Sequence, residues 1–248
     1  MTDRARVAFI TGGARGIGRA FAEALVEDGC NVVLADVSPE AAETASKEIG
    51  SDRALGLTCD VADEDAVAAA VDAAADRFGG IDVLINNAAR HLMAWSRPVT
   101  EVSTAQWRDI LDVNVLGIVN CARACRPHLR ASGSGTILSI SSVSGFTAVD
   151  VYGITKLAVR GLTTALAKEF ADDGIRVNCI APGPMDTEAA LDDLPESLLT
   201  DFIEGKQLIK RQGRVGDLVG AMRFFCSPAS SFVTGETLII GGGFPLRV

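Results

Sequence analysis

The sequence predicts an α/β domain built on one doubly wound parallel sheet of about seven strands, with helices on both faces. Three observations carry that prediction. Short, almost continuously apolar runs rich in Val, Ile, Leu and Ala recur along the chain. Most are separated by stretches with helical spacing of apolar residues and clear start signals. No repeat, linker or low-complexity tract interrupts the alternation over 248 residues. Strands that are apolar on both faces and alternate with helices belong in a parallel sheet covered on both sides. A fold of this length commonly stays undivided, so residues 1–248 read as one domain.

The runs that read as strands are Val7–Thr11, Asn31–Ala35, Ala54–Thr58, Val83–Asn86, Thr136–Ile140, Arg176–Ile180 and Thr237–Ile240. After the first comes a glycine-rich turn, Thr11-Gly12-Gly13-Ala14-Arg15-Gly16-Ile17-Gly18, which opens the first helix. Glycines there permit a tight turn and close approach of the backbone to a pyrophosphate at a helix N-terminus. The second run leads into Asp36, whose carboxylate can accept hydrogen bonds from adenosine ribose hydroxyls and would repel a 2′-phosphate. That favours NAD(H) over NADP(H), with Arg15 as the guanidinium that could instead pair with a phosphate. Ser38-Pro39-Glu40 supplies an N-cap and an N1 proline to the next helix. Ser103-Thr104-Ala105-Gln106 fits a capping box before a long helix ending near Gly133.

Composition narrows the classes. A net charge of −9 and a pI near 4.8 argue against nucleic acid and against anionic membrane surfaces. No window approaches a membrane span, and the first residues lack the apolar region of a signal peptide, so a cytoplasmic protein is expected. Six cysteines (30, 59, 121, 125, 179 and 226) lie in apolar segments without a C-x-x-C pair, as buried reduced thiols would. Cys121, Cys125 and His128 share a helix face, but no second cluster completes a four-ligand zinc site, so no metal is expected.

Tyr152-Gly-Ile-Thr-Lys156 sets a phenol and an ammonium four residues apart on one helix face. An ammonium held near a phenol favours the phenolate and should pull its pKa down from about 10. Such a group can serve as general acid or base toward a carbonyl or an alcohol.

Taken with the glycine turn and Asp36, this pair makes the chain resemble the short-chain dehydrogenase/reductase family from about residue 4 to the C-terminus, and so implies a Rossmann fold. The family's T-G-x-x-x-G-x-G matches residues 11–18, with Gly12, Arg15, Gly16, Ile17 and Gly18 at the cofactor. Its adenine-contacting Asp-Val corresponds to Asp60-Val61. Its N-N-A-G corresponds to Asn86-Asn87-Ala88-Ala89, with alanine for the last glycine. Asn114 matches the mid-helix asparagine, expected to kink its helix and carry a water linking Lys156 to solvent. Pro182-Gly183-Pro184-Met185-Asp186-Thr187 matches the motif that grips the nicotinamide amide. The catalytic serine motif aligns with Ile140-Ser141-Ser142. The family's usual spacing from the tyrosine would select Ser139, but the motif selects Ser142 and implies a shortened loop over 146–151.

The resemblance implies an oxidoreductase that moves hydride between NAD and a secondary alcohol or ketone. Tyr152 would be the general acid/base, Ser142 the donor toward developing charge, and Lys156 the group that tunes Tyr152 and holds the nicotinamide ribose. Substrate-facing residues are expected at His91, Met93, Trp95 and Ser144, and residues 187–212 read as a substrate lid. Seven carboxylates and no basic residue occur from Asp186 to Glu204, which disfavours highly anionic substrates. A small, fairly apolar substrate is therefore expected. The alternative is NADPH-dependent reduction of 3-oxoacyl groups on an acyl carrier protein, with Arg126 and Arg130 as docking cations opposed by Asp172-Asp173. A dinucleotide-binding sensor without turnover would show a broken Tyr/Lys pair, which this chain does not. The family also implies a homotetramer, packed through the long helices at about 104–131 and 152–172.

Overall fold

Each of the seven apolar runs forms a strand in the computed structural model, which describes residues 4–90, 97–187 and 196–246. The strands are β1 Val7–Thr11, β2 Asn31–Asp36, β3 Ala54–Thr58, β4 Val83–Asn86, β5 Thr136–Ile140, β6 Arg176–Pro182 and β7 Thr237–Ile240. They pair in parallel in the order β3-β2-β1-β4-β5-β6-β7. β6 runs past its expected end because Ala181 and Pro182 stay in register with Ile239 and Ile240.

Alternate side chains of each strand point to opposite faces. Val7 and Phe9 join Val33, Leu84 and Ile137 on one face. Ala8 and Ile10 join Val32, Leu34 and Val83 on the other. The first face is covered by α3 (Glu64–Phe78), α5 (Gly117–Ala131) and α7 (Val151–Glu169), through residues such as Val71, Leu129 and Val159. The second is covered by α1 (Gly16–Glu27), α2 (Pro39–Ile49) and α9 (Gly216–Phe225), through Phe21, Ala45 and Met222. The remaining helices are α4 (Thr104–Leu111), the single turn α6 (Ser144–Thr147) and α8 (Glu196–Gly205).

The start signals act as expected. Ser38 Oγ accepts from the Ala41 amide ahead of Pro39. Ser103 and Gln106 form a reciprocal capping box at α4. The long helix after it is interrupted where the resemblance places a kink, at Asn114. A π-helical turn at Asp112–Leu116 separates α4 from α5. Its cause is polar: buried Asn114 accepts from the Arg90 amide at 2.7 Å and donates to Thr155 Oγ1 at 3.1 Å.

Strand order reverses direction between β1 and β4, the kind of switch point at which open α/β sheets bind ligands. The cleft there runs along the carboxyl edge of the sheet. No helix among the described residues is long and apolar enough to cross a membrane.

Candidate active site

A cavity of about 780 Å³ follows that edge from β2 to the far side of β6. That is room for a large ligand. One end is built from the glycine turn and the residues after β2 and β3. Gly12 adopts φ 60°, and a Cβ on Gly18 would lie 2.3 Å from the Gly12 carbonyl oxygen and 2.6 Å from Asn87 Nδ2. No side chain caps α1 at Arg15. The first amides of that helix are thus left for a ligand. Asn87 Nδ2 donates to the carbonyls of Thr11 and Gly12, and Thr11 Oγ1 accepts from the amides of Asn87 and Ala88. Asn87 therefore holds the turn in shape, while Ala88 lines the cavity beside it. Ala89 needs no left-handed backbone, since Ala148 is the one non-glycine residue with positive φ among the described residues. The methyl in place of the family's glycine is accommodated.

Asp36 is 7 % exposed and accepts one amide on each oxygen, from Ala14 at 3.3 Å and Ser38 at 3.2 Å. Each oxygen keeps a lone pair for a further donor. Arg15, Gly16, Ile17, Asp60 and Val61 also face the cavity, and the Arg15 guanidinium has no partner among the described residues. Thr187 closes over the turn, its Cγ2 lying 3.7 Å from where a Cβ on Gly16 would be. The cradle is one that a side chain would fill, and its donors and carboxylate suit a dinucleotide.

Toward the other end, Ser142, Tyr152 and Lys156 meet the same cavity. Asp150 caps α7 by accepting from Gly153, setting Tyr152 in the first turn. Ser142 is hydrogen-bonded to the Tyr152 phenol. Its Oγ also accepts the Ser144 amide at 3.1 Å, so the hydroxyl hydrogen is the one Ser142 donates, to the phenol or to a substrate oxygen. Buried Lys156 donates to the Ile140 carbonyl at 2.9 Å, and its Nζ lies 5.6 Å from the centre of the Tyr152 ring. The short segment before α7 is anchored by Ser141 Oγ on the Lys156 carbonyl and by Arg160, which bonds the Gly145 carbonyl and lies over the Phe146 ring. Ser139 does not reach the cavity. It is buried in β5 and receives a hydrogen bond from Asn86.

The electrostatics correct one expectation. Burial pushes the Tyr152 phenol up to about 12; the Ser142 hydrogen bond works against that rise and Asp150 adds to it. Burial lowers Lys156 to about 8, opposed by Cys179. Desolvation dominates the phenol and Lys156 is not among the groups that shift it, so Tyr152 is protonated at neutral pH. Asn114 likewise bonds Thr155 and Arg90, and Thr155 Oγ1 in turn donates to the Tyr152 carbonyl.

Pro182, Gly183 and Met185 line the cavity beyond β6, with Gly183 packed on Gly241, and Ser144 lines it beside Ser142. His91, Met93 and Trp95 lie outside the described residues. Of the expected lid, α8 brings Leu199, Asp201 and Phe202 to the cavity, followed by Lys206. These four were not singled out from sequence. Their only signal was the apolar spacing of Leu199 and Phe202. Cys121 and Cys125 are buried on the sheet side of α5.

Comparison with known proteins agrees with this architecture. The family model described as enoyl-(acyl carrier protein) reductase matches residues 12–245. An uncharacterized oxidoreductase of Mycobacterium tuberculosis is 38 % identical over 244 residues, covering 98 % of both chains. Cis-4-hydroxycyclohexanecarboxylate dehydrogenase of Sinomonas cyclohexanicum is 38 % identical over 244 residues and 96 % of each chain. A crystal structure of a short-chain dehydrogenase/reductase, glucose/ribitol dehydrogenase, from Brucella melitensis superimposes with a TM-score of 0.85 at 31 % identity, covering 98 % of this chain and 97 % of that one. The chain belongs to the short-chain dehydrogenase/reductase family. It is an oxidoreductase, and its family uses nicotinamide dinucleotides.

Proposed function

We propose that the protein is an NAD(H)-dependent oxidoreductase that interconverts a small secondary alcohol and its ketone, with Tyr152 as general acid/base. The observation that carries this reading is the convergence of Ser142, Tyr152 and Lys156 on the same cavity as the glycine turn and Asp36. A bound nicotinamide dinucleotide supplies the hydride acceptor or donor. The chain's own residues supply position and proton transfer. Gly12, Gly16 and Gly18 admit the pyrophosphate, and Asp36 receives the ribose hydroxyls. In reduction, the Tyr152 phenol gives its proton to the substrate oxygen while the Ser142 hydroxyl donates to the same atom, where charge develops. In oxidation the Tyr152 phenolate would accept the alcohol proton while the Ser142 hydroxyl donates to the oxygen that loses it. Lys156, whose ammonium lies 5.6 Å from the centre of the Tyr152 ring, eases formation of the phenolate that this direction needs.

Two observations favour this over reduction of acyl groups on a carrier protein. Arg126 is bonded to Asp173 at 2.6 Å and to Glu169 at 3.2 Å, and Arg130 lies 3.4 Å from the same Asp173. Both candidate docking cations are thus already neutralised within the chain. A carboxylate at Asp36 also disfavours the 2′-phosphate of NADPH. In support, the Sinomonas relative is by name a dehydrogenase of a hydroxyl-bearing ring.

Paired fluorescence titration with NADH and NADPH tests the cofactor. NADH should bind at least tenfold more tightly, about 1.4 kcal/mol, and tighter NADPH binding would transfer selection to Arg15. Tyr152→Phe should lose at least ~100-fold in kcat, and retention of a tenth of the rate would defeat the assignment.

A further inference from the structure

The cavity wall carries a cation that the reaction does not use. Among the described residues the cations that face the cavity are Arg15, Arg90, Lys156 and Lys206. Arg15 belongs to the glycine turn after β1, Arg90 is paired with Asp109 at 2.9 Å, and Lys156 is bonded to the Ile140 carbonyl. Lys206 has no carboxylate partner among the described residues. Its ammonium instead lies over two aromatic faces, 5.5 Å from the centre of Phe202 and 5.7 Å from that of Phe244. The two rings meet edge to face, with centroids 5.0 Å apart and planes at 82°. Ring faces attract and localise an ammonium without neutralising it. The result is a held positive charge still open to an anion.

Topology says which end of the cleft this charge serves. Phe244 follows β7, and its backbone packs on Gly241, which itself lies against Gly183 and against Val143 beside Ser142. The backbone at Gly242 accepts the amides of Leu208 and Ile209, tying the segment after Lys206 to the same corner. Asp36 lies at the end of β2, on the far side of β1, β4 and β5. Strands spaced about 4.8 Å apart put the β6–β7 corner roughly 19 Å or more from Asp36. Lys206 therefore stands at the hydride-transfer end, beyond reach of the adenosine end. Leu199, Phe202 and Val143 make the wall around it largely apolar, with Asp201 the carboxylate that α8 adds there.

We infer that Lys206 is a specificity-determining residue that binds the carboxylate of the substrate, so that the alcohol or ketone is a small hydroxy or oxo acid with a hydrocarbon body. This rests on the dehydrogenase reading above. A single carboxylate fits one held ammonium and an apolar wall, while the acidic α8 turns away more highly charged molecules.

The test is calorimetric titration of the NADH-bound protein with cyclohexanecarboxylate and with cyclohexanecarboxamide, which share a hydrocarbon body and carry no hydroxyl to oxidise. The carboxylate should bind at least tenfold more tightly than the amide. Lys206→Met should abolish that preference while its NADH affinity stays that of the wild type, and Lys206→Arg should keep it. Equal affinity for the two probes, including no measurable binding of either, or a preference that survives in Lys206→Met, overturns the inference alone. Failure of NADH to bind, or full activity in Tyr152→Phe, overturns the dehydrogenase reading and this inference with it.

Discussion

Replacing Lys156 by Met keeps most of the side-chain length and removes an ammonium that is only 3 % exposed. Burial holds that ammonium at about 8, below its ordinary 10.5. Below pH 8 the lysine is charged in both folded and unfolded chains, and the folded chain bears the full cost of burial. Between about 8 and 10.5 the folded chain gives up its proton first. The unfolded chain then binds more protons, so stability rises with pH across that window. The gap corresponds to roughly 3 kcal/mol at pH 7. Against it stands the Nζ bond to the Ile140 carbonyl, whose loss costs about 1.5–3 kcal/mol. The two proteins should therefore be of similar stability at pH 7. From pH 7 to pH 10 the wild type should gain roughly 2–3 kcal/mol relative to Lys156→Met. Urea unfolding without dinucleotide, followed by tryptophan fluorescence at intervals of pH, measures this. Parallel curves for the two proteins would refute the claim that desolvation governs Lys156.

Ser142→Ala should lower kcat by ~100-fold or more, as loss of one donor toward developing charge does. Ser139→Ala should leave kcat intact and cost about 1 kcal/mol in stability through the lost Asn86 bond; steady-state kinetics on the pair distinguishes the two serines. Gly18→Ala drives a methyl into the Gly12 carbonyl, so it should cost about 1–3 kcal/mol and weaken NADH binding, read by thermal unfolding and titration.

All seven strands were legible because each is an apolar run bounded by turn residues, a signal carried by neighbours in sequence. Tyr152, Lys156 and Ser142 were legible through spacing and motif, and the structure brings them together at one cavity. The sign of the Tyr152 shift was not, because it depends on how much protein surrounds the phenol, which no spacing records. The π turn was legible only through the family resemblance, which gave Asn114 a kink in its helix, and its cause was not. Nothing in Asp112–Leu116 breaks a helical pattern; the cause lies in Arg90 and Thr155, remote in sequence. The ring pair that holds Lys206 joins positions 202 and 244, and only the fold makes them adjacent.

That π turn has a consequence for how the chain tolerates change. In an unbroken α-helix Ile110 and Cys121, eleven residues apart, would point the same way. Here Ile110 packs with Val102 and Val151 near Tyr152, while Cys121 packs into the sheet. The widened turn is a phase slip of one residue, about 100° of rotation. It lets one rod serve two surfaces that face in different directions. Deleting a single residue between 112 and 116 would restore a regular helix and rotate one surface away from its partner, even if every remaining side chain were kept. Residue count in this segment is thus under the same constraint as residue identity at Asn114.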